Sequence, residues 1–113
     1  MYRPSDLTPG ERLWLARRRD GTTMLEQAAT FNVTEWQYGE WERDRRENVP
    51  WVAVIPRVLS PGEQCALARR RADVNLRRLA QLAGLSHVTI LKHENATKAT
   101  PLWSWWSQHG WPA

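Results

Sequence analysis

Between Asn75 and Lys98 the chain gathers cationic and hydrogen-bonding side chains with little acid among them: Asn75, Arg77 and Arg78, then Ser86, His87, Val88, Thr89 and Lys92, then Asn95 and Lys98. Lysine and arginine donate to anions or to acceptor edges, histidine donates or accepts, and valine packs on methyl groups. This is the chemistry of recognition, not of bond cleavage. The chain holds no Ser/His/Asp set, no paired-carboxylate signature and no phosphate loop. His87 and His93 are six residues apart, not three or four, so they do not form a metal pair on one helix face. The expectation is a protein that is not an enzyme and uses no metal, cofactor or small-molecule substrate.

At 113 residues, 42% hydrophobic and 25% charged, the chain has globular composition and room for one ordinary domain or two very small ones. The single Cys65 allows no internal disulfide, and the N-terminal segment does not resemble a secretory signal, so a reducing cytoplasm is expected. The longest apolar run, around Val52, is far short of the roughly 20 residues a membrane helix needs. The formal charge of +4 is unevenly placed. Residues 1–58 carry nine basic and nine acidic side chains, residues 59–113 seven basic and three acidic. An anionic partner is therefore expected at the second half.

The elements that must position these residues repeat. Shifted by 52 residues, Leu7 to Glu42 aligns without a gap on Leu59 to Glu94, LTPGERLWLARRR lying over LSPGEQCALARRR. Each copy opens with a hydroxyl cap, a proline and a glutamate three residues after the cap: Thr8, Pro9, Glu11 and Ser60, Pro61, Glu63. First helices are expected over residues 9–19 and 61–72. Second helices should start after Thr23 and Asn75 and end near Asn32 and Gly84, which tolerate a left-handed exit. Val33-Thr34 and Leu85-Ser86 then plug the turn and cap a third helix, the spacing of a helix-turn-helix. Leu76, Leu79, Leu82, Leu85, Ile90 and Leu91 are expected to share a core with Leu67. Fourth helices should follow Pro50 and Pro101, over residues 51–59 and 102–108. The fold expected is all-α: two tandem four- to five-helix units, residues 1–58 and 59–113, related by the repeat.

With these residues in place, both copies resemble the lambda-repressor-like, Cro-type helix-turn-helix family. Arg69, Ala80, Gly84-Leu85-Ser86, Ile90, His93-Glu94, Asn95, Lys98 and Pro101 carry the likeness in the second copy. Arg17, Ala28, Asn32-Val33-Thr34, Tyr38, Trp41-Glu42, Arg45-Arg46 and Pro50 carry it in the first. The resemblance implies Arg17–Glu42 and Arg69–Glu94 pairs tying helix 1 to the end of helix 3. It also implies a double-stranded DNA target and a transcriptional regulator, a repressor of phage or mobile-element type. Two positions depart from the family: Asp44 and Ala96 stand where it often has glycine, and Met24 and Leu76 where it often has glutamine.

A recognition helix offers its N-terminal outward side chains to the major groove, which in the second copy selects His87, Val88, Thr89 and Lys92 as base readers. Asn75, Arg77, Arg78, Asn95 and Lys98, with Arg70 as a further candidate, would meet phosphates, and Ser86 is counted among the DNA contacts. In the first copy the matching candidates are Thr34, Glu35, Trp36 and Gln37, followed by Arg43, Arg45 and Arg46. Glu35 and Glu40 there replace His87 and Lys92, so this copy has two readings: base contact, or a grip on a protein, as in an antitoxin-like or inhibitor module. Trp41 and Tyr38 are expected in the core. Trp103, Trp105, Trp106 and Trp111 crowd the last eleven residues, either capping the second unit or forming a homodimer contact.

Overall fold

The computed structural model describes residues 1–52 and 58–113. Among these residues the chain is all-helical: α1 (Pro9–Asp20), α2 (Met24–Thr30), α3 (Glu35–Glu42), α4 (Pro61–Ala72), α5 (Leu76–Ala83), α6 (His87–Glu94) and α7 (Pro101–His109), with a short 3₁₀ turn at Pro4–Asp6. The chain divides into two compact units, Arg3–Val58 and Leu59–Ala113, the latter joined by Met1–Tyr2. No described helix is long and apolar enough to cross a membrane.

Local chemistry accounts for the helix ends. The side chains of Thr8, Thr23, Thr34 and Ser60 accept from Glu11, Glu26, Gln37 and Glu63 backbone N–H groups, and those four residues reach back to the cap N–H. Asn75, Ser86 and Thr100 cap α5, α6 and α7 by accepting from the backbone N–H three residues on, with no capping box. Gly21 and Gly84 leave their helices in the left-handed conformation, both at φ 68°, and Asn32 and Asp73 do so without glycine's freedom at φ 56° and 54°. Of the two fourth helices expected, α7 is present. The other falls on residues 51–59, of which 53–57 lie outside the described residues, while Trp51, Val52, Val58 and Leu59 belong to no helix.

In the unit Arg3–Val58 one core cluster is Leu13, Ala28 and Tyr38, lined by Met24, Phe31, Val33, Trp41, Val49 and Val52, and Leu7 and Leu15 are buried as well. In the other unit Cys65, Leu67, Leu79, Ile90 and Leu102 are fully buried. Burial pushes the Cys65 thiol up to about 12, with Glu94 adding to the effect. Two leucines expected in this core are outside it: Leu82 is 47% exposed and Leu91 43%. The inward stripe of α5 runs through Leu76, Leu79, Ala80 and Ala83, and that of α6 through Ile90, His93 and Glu94, so both leucines fall to the side.

Tyr2 belongs to the second unit because it satisfies a buried amide. Gln64, 3% exposed, donates through Nε2 to the Tyr2 carbonyl at 2.7 Å and accepts from the Tyr2 N–H at 2.7 Å. The Arg71 guanidinium lies over the Tyr2 ring, 4.6 Å from its centroid. The expected 1–58 unit is therefore two residues too long at its start.

Gly62 permits the close approach of α4 to the loop after α6. Its N–H donates to Ala96 O at 3.0 Å, and a Cβ there would lie 2.6 Å from both Ala96 O and Glu94 O. Backbone cannot step aside as a flexible side chain does. Gly62→Ala is expected to destabilise the unit by about 2 kcal/mol, since overpacking outweighs the gain in helix propensity. Chemical denaturation checks this, and an unchanged midpoint would contradict the packing described.

Candidate nucleic-acid interface

Two buried ion pairs set the direction in which α3 and α6 present their side chains. Arg17 donates from Nε and Nη2 to Glu42 at 2.6 and 3.1 Å, and Arg69 donates likewise to Glu94 at 2.8 and 3.2 Å. Glu42 and Glu94 are 4% and 2% exposed, so each carboxylate is held out of water by a two-pronged partner. The hydrogen bonds to Glu42 raise the Arg17 pKa against the opposing effect of burial. The Tyr38 hydroxyl lies against the same pair, and burial first, then Glu42, pushes its pKa up. Each pair fastens the C-terminal end of a third helix to the first helix of its unit.

With the inner side of α6 fixed, its outer side carries His87, Val88, Leu91 and Lys92, all exposed. Arg77 and Arg78 are exposed in the first turn of α5, where the Asn75 side chain accepts from Arg78 N at 2.8 Å. Asn95 ends α6 and Lys98 follows it, both exposed. From Val74 to the C-terminus Glu94 is the one carboxylate side chain, and it is buried against Arg69. Positive charge on this side is thus not offset by an acid within the same stretch. Thr89 departs from the expected reading set. It is half-buried, and Ser86 Oγ both accepts from its N–H at 3.1 Å and donates to its Oγ1 at 2.8 Å. The cap that starts α6 thus holds Thr89 Oγ1 as an acceptor for Ser86. Sequence reasoning missed Leu91 as a surface residue, although its position beside inward Ile90 on the helical wheel marks it as lateral.

In the first unit the corresponding residues do different work. Thr34 and Gln37 are engaged in their capping box, Thr34 N donating to Gln37 Oε1 at 3.0 Å and Gln37 N to Thr34 Oγ1 at 3.1 Å. Glu35 is exposed and Trp36 is 68% exposed. Glu40 does not face outward as Lys92 does. Its side chain is 13% exposed, and Nη1 of Arg43 and of Arg45 each approach its Oε1 at 3.8 Å. Those arginines and Arg46 are exposed beyond α3.

Asp44, in the left-handed region at φ 57°, holds the start of α1: its carboxylate accepts from Gly10 N at 2.8 Å and from the Thr8 hydroxyl. The second unit makes the equivalent link with the Ala96 carbonyl, and Ala96 keeps a negative φ. Thus aspartate takes up the conformation glycine would supply, and alanine avoids it. Sequence offered one signal for the Asp44 role, the alignment of this residue with a glycine position after the third helix.

The tryptophan-rich end packs on its own unit, α7 against α4 and α6. Trp106 is buried, while Trp103, Trp105 and Trp111 are half-buried. Trp111 meets Trp103 and Trp106 with ring centroids 6.3 Å apart in each case, and Tyr2 edge-on at 5.9 Å. Among the described residues no group of three or more His, Cys, Asp or Glu side chains is arranged to hold a metal. Compared with known proteins, the chain matches no family model, no curated protein and no solved structure.

Proposed function

We propose that this protein binds double-stranded DNA through its second unit, with α6 in the major groove and the start of α5 against the backbone. On this reading each unit is a helix-turn-helix of the lambda-repressor-like kind, and the chain regulates transcription as a repressor. The observation that carries the reading is the exposed row His87, Val88 and Lys92, flanked by Arg77, Arg78 and Lys98, beside a carboxylate withdrawn into the Arg69 pair. Lys92 and His87 supply donors for base edges, and Val88 suits a thymine methyl. Arg77 and Arg78 sit at a helix start, where the helix dipole disfavours cations, and a phosphate offsets that local repulsion. Thr89 is left out of the base-reading set, since it is half-buried and its Oγ1 already accepts from Ser86.

For the first unit the protein-contact reading is the better supported, on the exposure of Trp36 beside Glu35. The test is a mobility-shift titration against DNA flanking the protein's own gene over a range of salt. Four or five phosphate contacts give an expected log-log slope of roughly −4, at about −0.9 per phosphate. Absence of binding at low salt, or binding indifferent to salt, would remove the proposal.

A further inference from the structure

In the register of 52 residues, the exposed positions of α2 and α3 carry acid or apolar groups where α5 and α6 carry mostly basic ones: Leu25 stands for Arg77, Glu26 for Arg78 and Glu35 for His87, while Trp36 stands for Val88. Met24 joins the two helices, since its Cε lies 3.0 Å from where a Gly39 Cβ would be, one turn along α3 from Trp36. Leu25 follows Met24 on α2 and is 63% exposed, and Trp36, near the start of α3, is 68% exposed. These two helices thus expose two large apolar side chains, each next in sequence to an exposed carboxylate, Glu26 and Glu35. On the α5–α6 face Val88 and Leu91, 50% and 43% exposed, form an apolar centre with cations at its edge. Arg43, Arg45 and Arg46 lie at the far end of α3 from Glu35, about 12 Å along an eight-residue helix.

We infer that the α2–α3 face of one copy docks on the α5–α6 face of a second copy, covering the residues assigned above to DNA. Charge selects this pairing. Two α2–α3 faces together would set Glu35 and Glu26 against their own kind, and two α5–α6 faces would do the same with Arg77, Arg78 and Lys92. The pairing is heterologous, so it closes on itself when two copies dock reciprocally and otherwise extends into a chain. An area built around one tryptophan and one leucine belongs to the weak, transient class of interfaces. Self-association at micromolar or higher concentration therefore competes with nucleic acid for one surface. This goes beyond the DNA reading and is tested without DNA, so either can fail alone.

The experiment is sedimentation velocity on the full chain, without nucleic acid, from about 1 to 200 µM at low salt, a range that brackets weak association. The average mass is expected to rise with concentration and to fall again as salt is raised. Glu35→Lys and Lys92→Glu should each weaken association at least tenfold, and an equimolar mixture of the two variants should regain it, because each supplies the face the other has lost. Trp36→Ala should abolish association without unfolding, which circular dichroism checks. A chain that stays monomeric throughout overturns the inference. So does association that survives Trp36→Ala and disappears with Trp105→Ala, which would move the contact to the C-terminal tryptophans. Association strengthened by Glu35→Lys would mean that like faces meet, and would overturn it too.

Discussion

Replacing Arg69 by methionine is expected to destabilise the second unit by about 3 kcal/mol or more, the magnitude found when one partner of a buried ion pair is removed. Glu94 is 2% exposed and accepts two short hydrogen bonds from Arg69, at 2.8 and 3.2 Å. Methionine fills much of the space but leaves a carboxylate in the interior with its countercharge gone. The residual negative charge also faces buried Cys65, whose thiol already feels Glu94. The pair itself is a weaker asset than its disruption suggests, because bringing two charges out of water offsets most of their attraction. The double variant Arg69→Met, Glu94→Leu should accordingly recover a large part of the loss. Urea denaturation followed by tryptophan fluorescence and circular dichroism gives both numbers. A single variant within about 1 kcal/mol of the parent, no more than one ordinary hydrogen bond, would show that the pair does not anchor α6.

Features set by neighbouring residues in sequence were legible before the fold was known. Thr8-Pro9 with Glu11 and Ser60-Pro61 with Glu63 start α1 and α4 where capping chemistry places them, because the cap and its partner lie within one turn. The all-α architecture follows from such signals. Gly84 and Asn32 leave their helices left-handed for the same local reason. The Arg17–Glu42 and Arg69–Glu94 contacts span 25 residues and could be named only from the repeat and a family likeness.

What escaped the sequence depends on contacts no local pattern encodes. Glu40 looks outward by register with Lys92, yet Arg43 and Arg45 fold back over it. Thr89 looks like an outward reading residue, yet it is half-buried and its Oγ1 accepts from Ser86. Leu82 and Leu91 have core-like composition but sit beside their helices' inward stripes, and only the packing of α4 and α6 decides which flank is covered. Tyr2 joins the second unit through the backbone partners it gives Gln64, a contact across 62 residues that carries no sequence signature.

The assignment of DNA reading to α5 and α6 is tested most directly by fluorescence anisotropy at one fixed salt concentration, on the duplex flanking the protein's own gene and on a scrambled duplex. Arg77, His87 and Lys92 are exposed, so alanine at all three should leave the fold intact while removing base and phosphate contacts together. The expected result is a loss of specific affinity of at least a hundredfold, about 2.7 kcal/mol, with little remaining distinction between the two duplexes. Glu35→Ala on the other unit should leave affinity unchanged or raise it, since it removes an exposed carboxylate that repels phosphates. If Glu35→Ala abolishes specific binding while the triple variant keeps it, the reading face belongs to α2 and α3, and the assignment to the second unit is contradicted.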